Sequence, residues 1–475
     1  MKNLLTLIYL PGKMSSLFLF ITIFITYLLP TQDPDLGWHM RFGQYFLDHG
    51  QPLLNNSLTV LLHNQPWPNS YTLYQPLIAF FYRHLGFWGL SIINSLFITG
   101  SFFIIWLLFD KDTIQTTFTA LITTIGGWFT FHYGLRGQVT VLLFLSILLY
   151  ILKKIKKPFL HAISLFTLFV LWSNFHGSYF YGLLLLGLYY FTKILMSLIN
   201  KKPPPWLLAL SSMPAFFAPI INPHKLQNYT YVFITILSPL DKMIAEWTPP
   251  PLSIKLLTAS FFTIYLIIFL QKPKQNIKKQ LFWALATFSA FYISISARRH
   301  IPIFFFIQSL SLSQLVSLKK TKSLIYFTLI TGFFISLTFI LPRTIRYNSN
   351  PHNYCNQGEV THPCQAISFI KDNNLSGRIF NFYRWGGYLT WQLPNNLPFI
   401  AGHIPAQPHP SGEYPYKIHL QIIQAKPGYQ KLLDQYKIDY LLIPPNTFLD
   451  LKLKDPQVPW EEIYQDEIAI LYQRI

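Results

Sequence analysis

Long apolar runs recur along the first 340 residues of this 475-residue chain, separated by short polar connections. Many are about 17–25 residues long, which is the length an α-helix needs to cross a hydrocarbon core of about 30 Å. Only 12% of the residues are charged, whereas 51% are hydrophobic. The sequence therefore predicts a polytopic α-helical membrane protein and excludes a soluble one.

Charge sets the predicted orientation of these helices. Every second connection is rich in lysine, as in "KKIKK" at 153–157 and "KPKQNIKK" at 272–279. Positively charged loops face the cytoplasm. The N-terminus is then cytoplasmic, and the loops at 31–86 and 222–252 lie outside together with the C-terminal part. The predicted spans, about eleven in number, are 14–30, 87–109, 114–131, 137–152, 158–173, 178–196, 205–221, 253–270, 280–297, 301–317 and 323–341.

The net charge of +19 is unevenly distributed, and this suggests two domains. Residues 1–342 hold 25 Lys/Arg and 7 Asp/Glu, a balance of +18, whereas residues 343–475 hold 12 and 11, a balance of +1. Membrane orientation explains the basic excess, so we expect no nucleic-acid partner. We predict a transmembrane domain over 1–342, with a long outer loop at about 31–86, and an extracytoplasmic α/β domain over 343–475.

The C-terminal part alternates between helical and strand-like patterns. The apolar segment "YLLIPP" at 440–445 is typical of a fully buried strand. Cys355 and Cys364 are the only cysteines, and they either form a disulfide, as an oxidising exterior favours, or remain free thiols. The further predicted elements are a helix at 364–374, strands "RIFNFY" and "YLTWQL", helices within 416–437, and a hairpin of "WEEIYQD" and "EIAILYQRI".

All arginines fall on the predicted outer side, whereas the predicted inner loops use only lysine. Lysine suffices as a generic charge, but the planar guanidinium fork suits phosphate or carboxylate. We expect Arg41, Arg298 and Arg299 to bind an anionic ligand, with the alternative that they only anchor the ends of spans. The arginines are residues 41, 83, 136, 298, 299, 343, 346, 378, 384 and 474.

Acidic residues are scarce in the first 342 residues, and none lies inside a predicted span. This argues against an ion-driven carrier, in which buried acids are expected. Asp33 and Asp35 flank Pro34, which favours an extended chain before it. Residues two apart in an extended chain point the same way, so we expect both carboxylates to face one site. The ordinary alternative is that one of them caps the following helix.

That helix, "LGWHMRFGQYFLDHG", carries His39 and Arg41 close to the two acids. Its pattern is amphipathic. We expect it to lie on the outer membrane surface with Trp38, Phe42 and Phe46 toward lipid.

These residues carry a resemblance to a known family. The segment "DPDLGWHMRFG" at 33–43 resembles the start of the first outer loop in bacterial membrane glycosyltransferases of the GT-C superfamily, in a branch marked by an Asp-Pro-Asp motif. Further similar segments follow in the same order and cover nearly the whole chain: "FHGSYFYG" (175–182), "INPHKLQNY" (221–229), "IAEWTPP" (244–250), "ARRHIPIF" (297–304) and "GRIFNFYRWGGYLTWQLP" (377–394).

The resemblance implies an activity. Enzymes of this superfamily transfer a sugar from a polyprenyl-phosphate carrier, and an acid of the first outer loop acts as the base on the acceptor hydroxyl. Carried onto this chain, Asp35 is the first candidate for the base and Asp33 the second. The leaving phosphate requires positive charge nearby, which Arg41, Arg298 and Arg299 would supply, with the phosphate lying near His39 and His300.

Three further outer residues are candidate substrate contacts, each with an ordinary alternative. Glu246 precedes Trp247 and could serve only as part of an interface anchor. His176 precedes Gly177, which could simply permit a tight turn. His224 follows Asn222-Pro223, where the proline could only end a span.

One departure leaves the chemistry open. Many relatives carry a His-Glu-Trp element where this chain reads "PWPNSYTLYQPL" (66–77), which contains no acid. The sequence names no certain cofactor, and a divalent cation is left open. "YRWGG" at 383–387 is interpreted as a packed turn first and as an acceptor-binding element second. The alternatives to a transferase are a non-catalytic scaffold of the same fold and a lipid or polysaccharide transporter.

Overall fold

The computed structural model describes residues 12–272, 280–350, 352–356 and 361–475, and it is mostly helical. The membrane-type helices are Gly12–Thr26, Tyr74–Leu108, Thr113–Phe131, Val139–Lys154, Pro158–Phe175, Tyr179–Ile199, Leu252–Leu270, Leu281–Ser296, Ile301–Leu315 and Lys322–Ile335. The shorter helices are Leu36–His49, Trp206–Ser211, Pro214–Phe217, Gln227–Leu237, Leu341–Asn348, Asn353–Asn356, Cys364–Asp372, Gly386–Gln392, Pro415–Ile423, Tyr429–Gln435 and Phe448–Leu453.

Every predicted span has a helical core, as its apolar run dictates. Five helical segments among the described residues are long and apolar enough to cross a membrane: Tyr74–Leu108, Pro158–Phe175, Tyr179–Ile199, Ala245–Leu270 and Lys322–Asn348. Shorter apolar helices, such as Leu281–Ser296, accompany them. The count of eleven spans stays a prediction.

Glycine and capping residues set several of the helix boundaries. The long helix Tyr74–Leu108 is kinked at Gly86, whose φ of 57° lies in the region that glycine adopts at little cost. The helix Thr113–Phe131 begins after Asp112, whose carboxylate accepts hydrogen bonds from the amides of Ile114 and Gln115. Asp112 is thus the N-cap of this helix.

The described residues divide into two compact units. The helical unit comprises those of Met1–Thr31, Trp88–Asn228 and Asp241–Arg346. The sheet unit comprises those of Gln32–Phe87, Tyr229–Leu240 and Tyr347–Ile475. The contacts thus group Gln32–Phe87 with the C-terminal part, and the predicted division at residue 342 stays a prediction.

The interior of the helical unit is built around the helix Ile301–Leu315, in which Gln314 is the one residue that is not buried. This helix packs against Thr113–Phe131 and Leu281–Ser296. Gly126 permits the close approach, because a Cβ atom there would collide with the Phe305 ring.

The sheet unit contains five strands: β1 (Arg378–Asn381), β2 (Leu397–Pro398), β3 (Tyr440–Ile443), β4 (Trp460–Gln465) and β5 (Ile470–Arg474). They form one sheet in the order β2-β1-β3-β5-β4. β1 is parallel to β2 and β3, and β5 is antiparallel to β3 and β4. β3 is central and all four of its residues are buried, which confirms the prediction for "YLLIPP". The β4–β5 hairpin was also predicted.

The prediction of a strand at "YLTWQL" is wrong, because this segment lies in the helix Gly386–Gln392. The helix packs against the helix Leu36–His49, with Gly37 against the backbone of Gly387. Tertiary packing has overridden the strand propensity of the β-branched and aromatic residues, which is a weak preference.

The prediction that Trp38 and Phe42 face lipid is also wrong. Both side chains are buried in the core of the sheet unit, together with Trp67 and Ile400. The helix is amphipathic as expected, but its apolar face is covered by protein. Phe46 is partly exposed.

Cys355 and Cys364 form a disulfide, which decides between the two alternatives left open by the sequence. His362 lies inside the closed loop, and its backbone amide donates to the Cys355 carbonyl. The disulfide therefore fixes the chain directly after Tyr354.

Candidate functional site

The first candidate region is the aspartate loop, residues 33–35, in the sheet unit. The Leu36 amide donates to the Asp33 carbonyl at 3.1 Å, so Pro34 and Asp35 form a turn. The expectation of an extended chain across this motif is therefore wrong, and with it the reason given for both carboxylates facing one way. A proline favours an extended conformation only in the residue before it, and at the second position of a turn it is common.

The two carboxylates have different surroundings. Asp33 is buried, with 3% of its surface exposed, and its Oδ1 accepts a hydrogen bond of 3.3 Å from the Asp35 amide. Asp35 is partly exposed, and its Oδ1 accepts from the Trp38 indole Nε1 at 2.9 Å. Asp35 occupies the N-cap position of Leu36–His49 without a side-chain capping bond, so the capping alternative fails for this residue.

Close packing fixes the aspartate loop. A Cβ atom on Gly402 would collide with the Asp35 carboxylate, and one on Gly387 would press on the Pro34 carbonyl. The Tyr354 hydroxyl donates to the Asp33 carbonyl at 3.1 Å. The disulfide next to Tyr354 therefore supports this part of the site.

His39 is buried behind the aspartate loop, with its ring packed against Tyr71 and Tyr74. The Asn69 amide donates to Gln75 Oε1 at 2.7 Å, which leaves the Gln75 nitrogen to donate toward His39 Nδ1 at 3.4 Å. The acid-free segment 66–77 thus brings a neutral amide to His39. Arg41 lies two residues further along the helix and is partly exposed.

The second candidate region is the arginine cluster, formed by Arg136, His176, Glu246, Arg299 and His300 of the helical unit. One carboxylate bridges two guanidinium groups: Arg136 donates to Glu246 Oε2 at 2.7 Å, and Arg299 donates to Oε1 at 3.2 Å. All five residues lie in turns that connect helices, where apolar spans end and polar groups are permitted.

Aromatic rings back both guanidinium groups of the arginine cluster. Arg299 lies over the Trp247 ring at 4.4 Å from its centre, and Arg136 lies over the Tyr133 ring at 5.5 Å. Such cation–π contacts orient a guanidinium plane while its edge remains available to hydrogen-bond acceptors.

The two histidines of the cluster line the same cavity as both arginines. Burial lowers the pKa of His176 and of His300 to about 3, and the nearby Arg299 charge acts in the same direction. Both imidazoles are therefore neutral at physiological pH. His176 Nδ1 accepts from the Ser178 amide at 3.0 Å, so the His176 proton is on Nε2.

The remaining sequence candidates lie outside this cluster. The His224 amide donates to Asn222 Oδ1, and Asn222 in turn donates to Asn174. Burial lowers the pKa of His224 to about 4. The Arg298 amide donates to the Thr248 carbonyl at 3.2 Å, which ties the turn of Arg299 to the loop of Glu246.

Sequence reasoning therefore anticipated four members of the arginine cluster and missed Arg136. Arg136 directly precedes the predicted span 137–152, and nothing local distinguishes it from an arginine that only anchors the end of a span. Trp38, Tyr354 and Gly402 were missed as supports of the aspartate loop, because their roles depend on contacts between distant segments. Among the described residues, no three His, Cys, Asp or Glu side chains are grouped as a metal site requires.

Comparison with known proteins gives structural matches only. No family model and no curated protein matches the sequence. ArnT from Cupriavidus metallidurans bound to undecaprenyl phosphate matches with a TM-score of 0.52 and 11% identity, over 97% of this chain and 96% of that one. The oligosaccharyltransferase AglB from Archaeoglobus fulgidus, in complex with an inhibitory peptide and a dolichol-phosphate, matches with a TM-score of 0.57 and 11% identity, over 90% and 69%.

At such identities the similarity shows the fold alone, and the Asp-Pro-Asp branch stays a prediction. ArnT and AglB are glycosyltransferases of the GT-C superfamily. The predicted fold class is confirmed: the chain is a multi-pass α-helical membrane protein with the GT-C fold and a small C-terminal sheet.

Proposed function

We propose that this protein is a membrane glycosyltransferase that moves a sugar from a polyprenyl-phosphate donor to an extracytoplasmic acceptor. The fold is shared with ArnT bound to undecaprenyl phosphate and with AglB bound to dolichol-phosphate. The observation that carries the proposal is the arginine cluster, which gathers two guanidinium groups in a chain of this fold.

In this proposal the arginine cluster holds the phosphate of the donor. Guanidinium forks bind phosphate oxygens in pairs, and they stabilise the charge that develops as the sugar–phosphate bond breaks. The neutral His176, with its proton on Nε2, adds a hydrogen-bond donor without adding charge. His300 lines the same cavity.

Asp35 is our choice for the general base. It is the more exposed of the two acids, and Trp38 fixes its carboxylate through the hydrogen bond to Oδ1. The acceptor hydroxyl attacks the anomeric carbon and gives its proton to Asp35, while the bond from that carbon to the phosphate oxygen breaks. Polyprenyl phosphate leaves with the bonding electrons. Asp33, whose side chain is buried, is the second choice.

The other assignments complete the proposal. His39, Arg41, His224 and Arg298 remain candidate substrate contacts. The protein would reside in the cytoplasmic membrane, with a cytoplasmic N-terminus and an extracytoplasmic domain at 343–475. Its partners would be a polyprenyl-linked sugar, membrane lipid and an acceptor that is a glycan, lipid or protein, without nucleic acid. No cofactor is assigned, and a divalent cation remains open.

The test compares the purified wild-type protein with the Asp35→Asn variant on a panel of polyprenyl-phosphate sugars, with a mixture of envelope glycans and lipids as acceptors. Release of polyprenyl phosphate is followed by mass spectrometry. Release by the wild type alone supports the proposal and the base. Equal release by both moves the base to Asp33.

A non-catalytic scaffold of the same fold is the second candidate. The observation that favours it is Gln75, the neutral amide at His39 in a segment where many relatives carry an acid. Replacing Asp33 and Asp35 together by Asn distinguishes the two, because a scaffold keeps its cellular function and a transferase loses it.

A further inference from the structure

Glu246 is unusual for its place in a phosphate-binding cluster, because its charge has the same sign as the ligand. Its carboxylate accepts one hydrogen bond from Arg136 and one from Arg299, at 2.7 and 3.2 Å. Its side chain is 24% exposed, whereas those of the two arginines are 11% exposed. An anion that approaches these arginines therefore meets the Glu246 carboxylate as a direct competitor.

The orientation of the arginines does not depend on Glu246 alone. Trp247 packs on the Arg299 guanidinium, and Tyr133 packs on that of Arg136. The Thr248 carbonyl accepts from the Arg298 amide, so the backbone joins the two turns without the Glu246 side chain. A purely positioning role for the carboxylate is thus already served by other contacts.

The charge of the cluster follows from three groups. Arg136 and Arg299 contribute +2 and Glu246 contributes −1, a sum of +1. His176 and His300 are neutral because burial lowers the pKa of each to about 3. A polyprenyl-phosphate sugar is a phosphodiester with one negative charge. The polyprenyl phosphate that leaves is a monoester, whose second pKa is about 6, so it carries close to two charges above neutral pH.

We propose that Glu246 sets the cluster to a charge of +1, which matches the monoanionic donor and weakens the hold on the dianionic product. This inference rests on the proposed function, since it needs the cluster to bind the lipid phosphate. Glu246 is then a specificity-determining residue that promotes product release. Without its charge, two guanidinium groups would match the dianion and retain it.

The experiment measures binding of two probes to the full-length protein in lipid nanodiscs at pH 8. One probe is a short-chain polyprenyl monophosphate, and the other is the methyl ester of the same phosphate, which is a monoanionic diester. The proteins are the wild type and three variants: Glu246→Gln, Glu246→Asp and Asp241→Asn. Asp241 is an exposed acid on the same loop, so its replacement makes the same change of net charge outside the cluster.

We expect Glu246→Gln to tighten binding of the monophosphate by about tenfold more than binding of the diester, since a charge a few ångströms away acts more strongly on a dianion. Glu246→Asp and Asp241→Asn should keep the wild-type ratio of the two affinities. In turnover, Glu246→Gln should lower kcat and KM together, with a burst of product in the first turnover.

The outcomes separate this inference from the proposed function. An unchanged affinity ratio in Glu246→Gln, or a loss of affinity for both probes, overturns the role of Glu246 while the phosphate site stands. Failure of the folded wild type to bind either probe overturns the phosphate site itself. The monodisperse elution and melting temperature of each variant show whether it is folded.

Discussion

The aspartate loop and the arginine cluster hold their charged groups in place in two different ways. In the aspartate loop, backbone turns, glycines and an indole hydrogen bond hold two carboxylates in place. In the arginine cluster, long arginine side chains from two separate turns meet around the carboxylate of a third. A proton acceptor must be placed accurately, because proton transfer requires hydrogen-bond distance. A phosphate site can tolerate adjustment, because charge acts over longer distances.

This contrast predicts that variants of the aspartate loop change the rate of transfer, whereas variants of the arginine cluster change affinity for the donor. Measuring kcat and the affinity for a non-reacting prenyl phosphate separately distinguishes the two regions. Similar changes in both quantities from both regions would break the contrast.

Asp35→Asn gives the largest expected effect. Its amide retains the shape and can still accept from the Trp38 indole, but it cannot take the acceptor proton. General base catalysis contributes typically 10²–10⁴-fold, so we expect kcat to fall by about 10³-fold with donor affinity unchanged. Turnover of a polyprenyl-phosphate sugar by the two proteins gives kcat, and competition with prenyl phosphate gives affinity. A variant with wild-type kcat would remove Asp35 from the chemistry.

Arg299→Gln comes next. Removing one guanidinium leaves Arg136 paired with Glu246 and brings the cluster to a charge near zero. Losing a partly buried charged hydrogen bond costs about 1.5–3 kcal/mol, so donor affinity should fall by about 10–100-fold. The matched control is Arg83→Gln, since Arg83 is half exposed and pairs with Asp48 at the surface. Equal losses in both variants would show a general effect of net charge.

Gly402→Ala tests the close packing of the aspartate loop. The added methyl group would meet the Asp35 carboxylate and lie close to the Trp38 indole, so the carboxylate must move. A displacement of about 1 Å can cost up to about 10²-fold in rate, and we expect a loss of about tenfold or more in kcat without a change in prenyl phosphate affinity. Gly187→Ala is the control, because its Cβ would enter open space in a helix. A wild-type kcat in Gly402→Ala would show that the aspartate loop accommodates the methyl group without displacing the Asp35 carboxylate from its working position.

The sequence predicted well those features that depend on composition along one segment. Apolar length identified the positions of the long apolar helices, and four consecutive apolar residues identified the central strand β3. It failed where a second segment decides the outcome. Periodicity showed that Leu36–His49 has an apolar face, but not that protein rather than lipid covers Trp38. Strand propensity misassigned residues 388–393, because packing against the helix of Trp38 outweighs it.

The residues of the candidate site also fall into two groups, those that one segment reveals and those that depend on contacts with a distant segment. Residue type and the predicted outer location selected Glu246, Arg299, His176 and His300, since acids are scarce in the first 342 residues and the predicted inner loops use only lysine as the basic residue. Arg136 was indistinguishable from an anchoring arginine until the structure placed it against Glu246. The positions of such long side chains depend on three turns far apart in sequence, which no local pattern encodes.

The smallest expected effect comes from His176→Asn, which separates the structural role of this histidine from its role toward the ligand. An asparagine Oδ1 can still accept from the Ser178 amide, as His176 Nδ1 does now, so the turn is retained. The Nε2 proton donor is lost. We expect donor affinity to fall by about fivefold to tenfold, which corresponds to an ordinary hydrogen bond of about 1–1.4 kcal/mol. In His176→Gln the side-chain nitrogen reaches the position of Nε2, but the side chain no longer accepts from the Ser178 amide. We therefore expect this variant to bind the donor more tightly than His176→Asn does, and to melt at a lower temperature.

Acid sensitivity gives the same variant a second, independent readout. Burial holds the pKa of His176 at about 3 in the folded protein, below the value of about 6.5 expected when unfolded. Protons therefore bind preferentially to the unfolded chain, so stability is full above about pH 6.5 and falls as the pH decreases toward 3. Asparagine does not titrate, so His176→Asn should lose less melting temperature than the wild type between pH 7.5 and pH 5. Equal losses would mean that His176 is already protonated or exposed in the folded state, and its assignment as a neutral donor in the arginine cluster would fail.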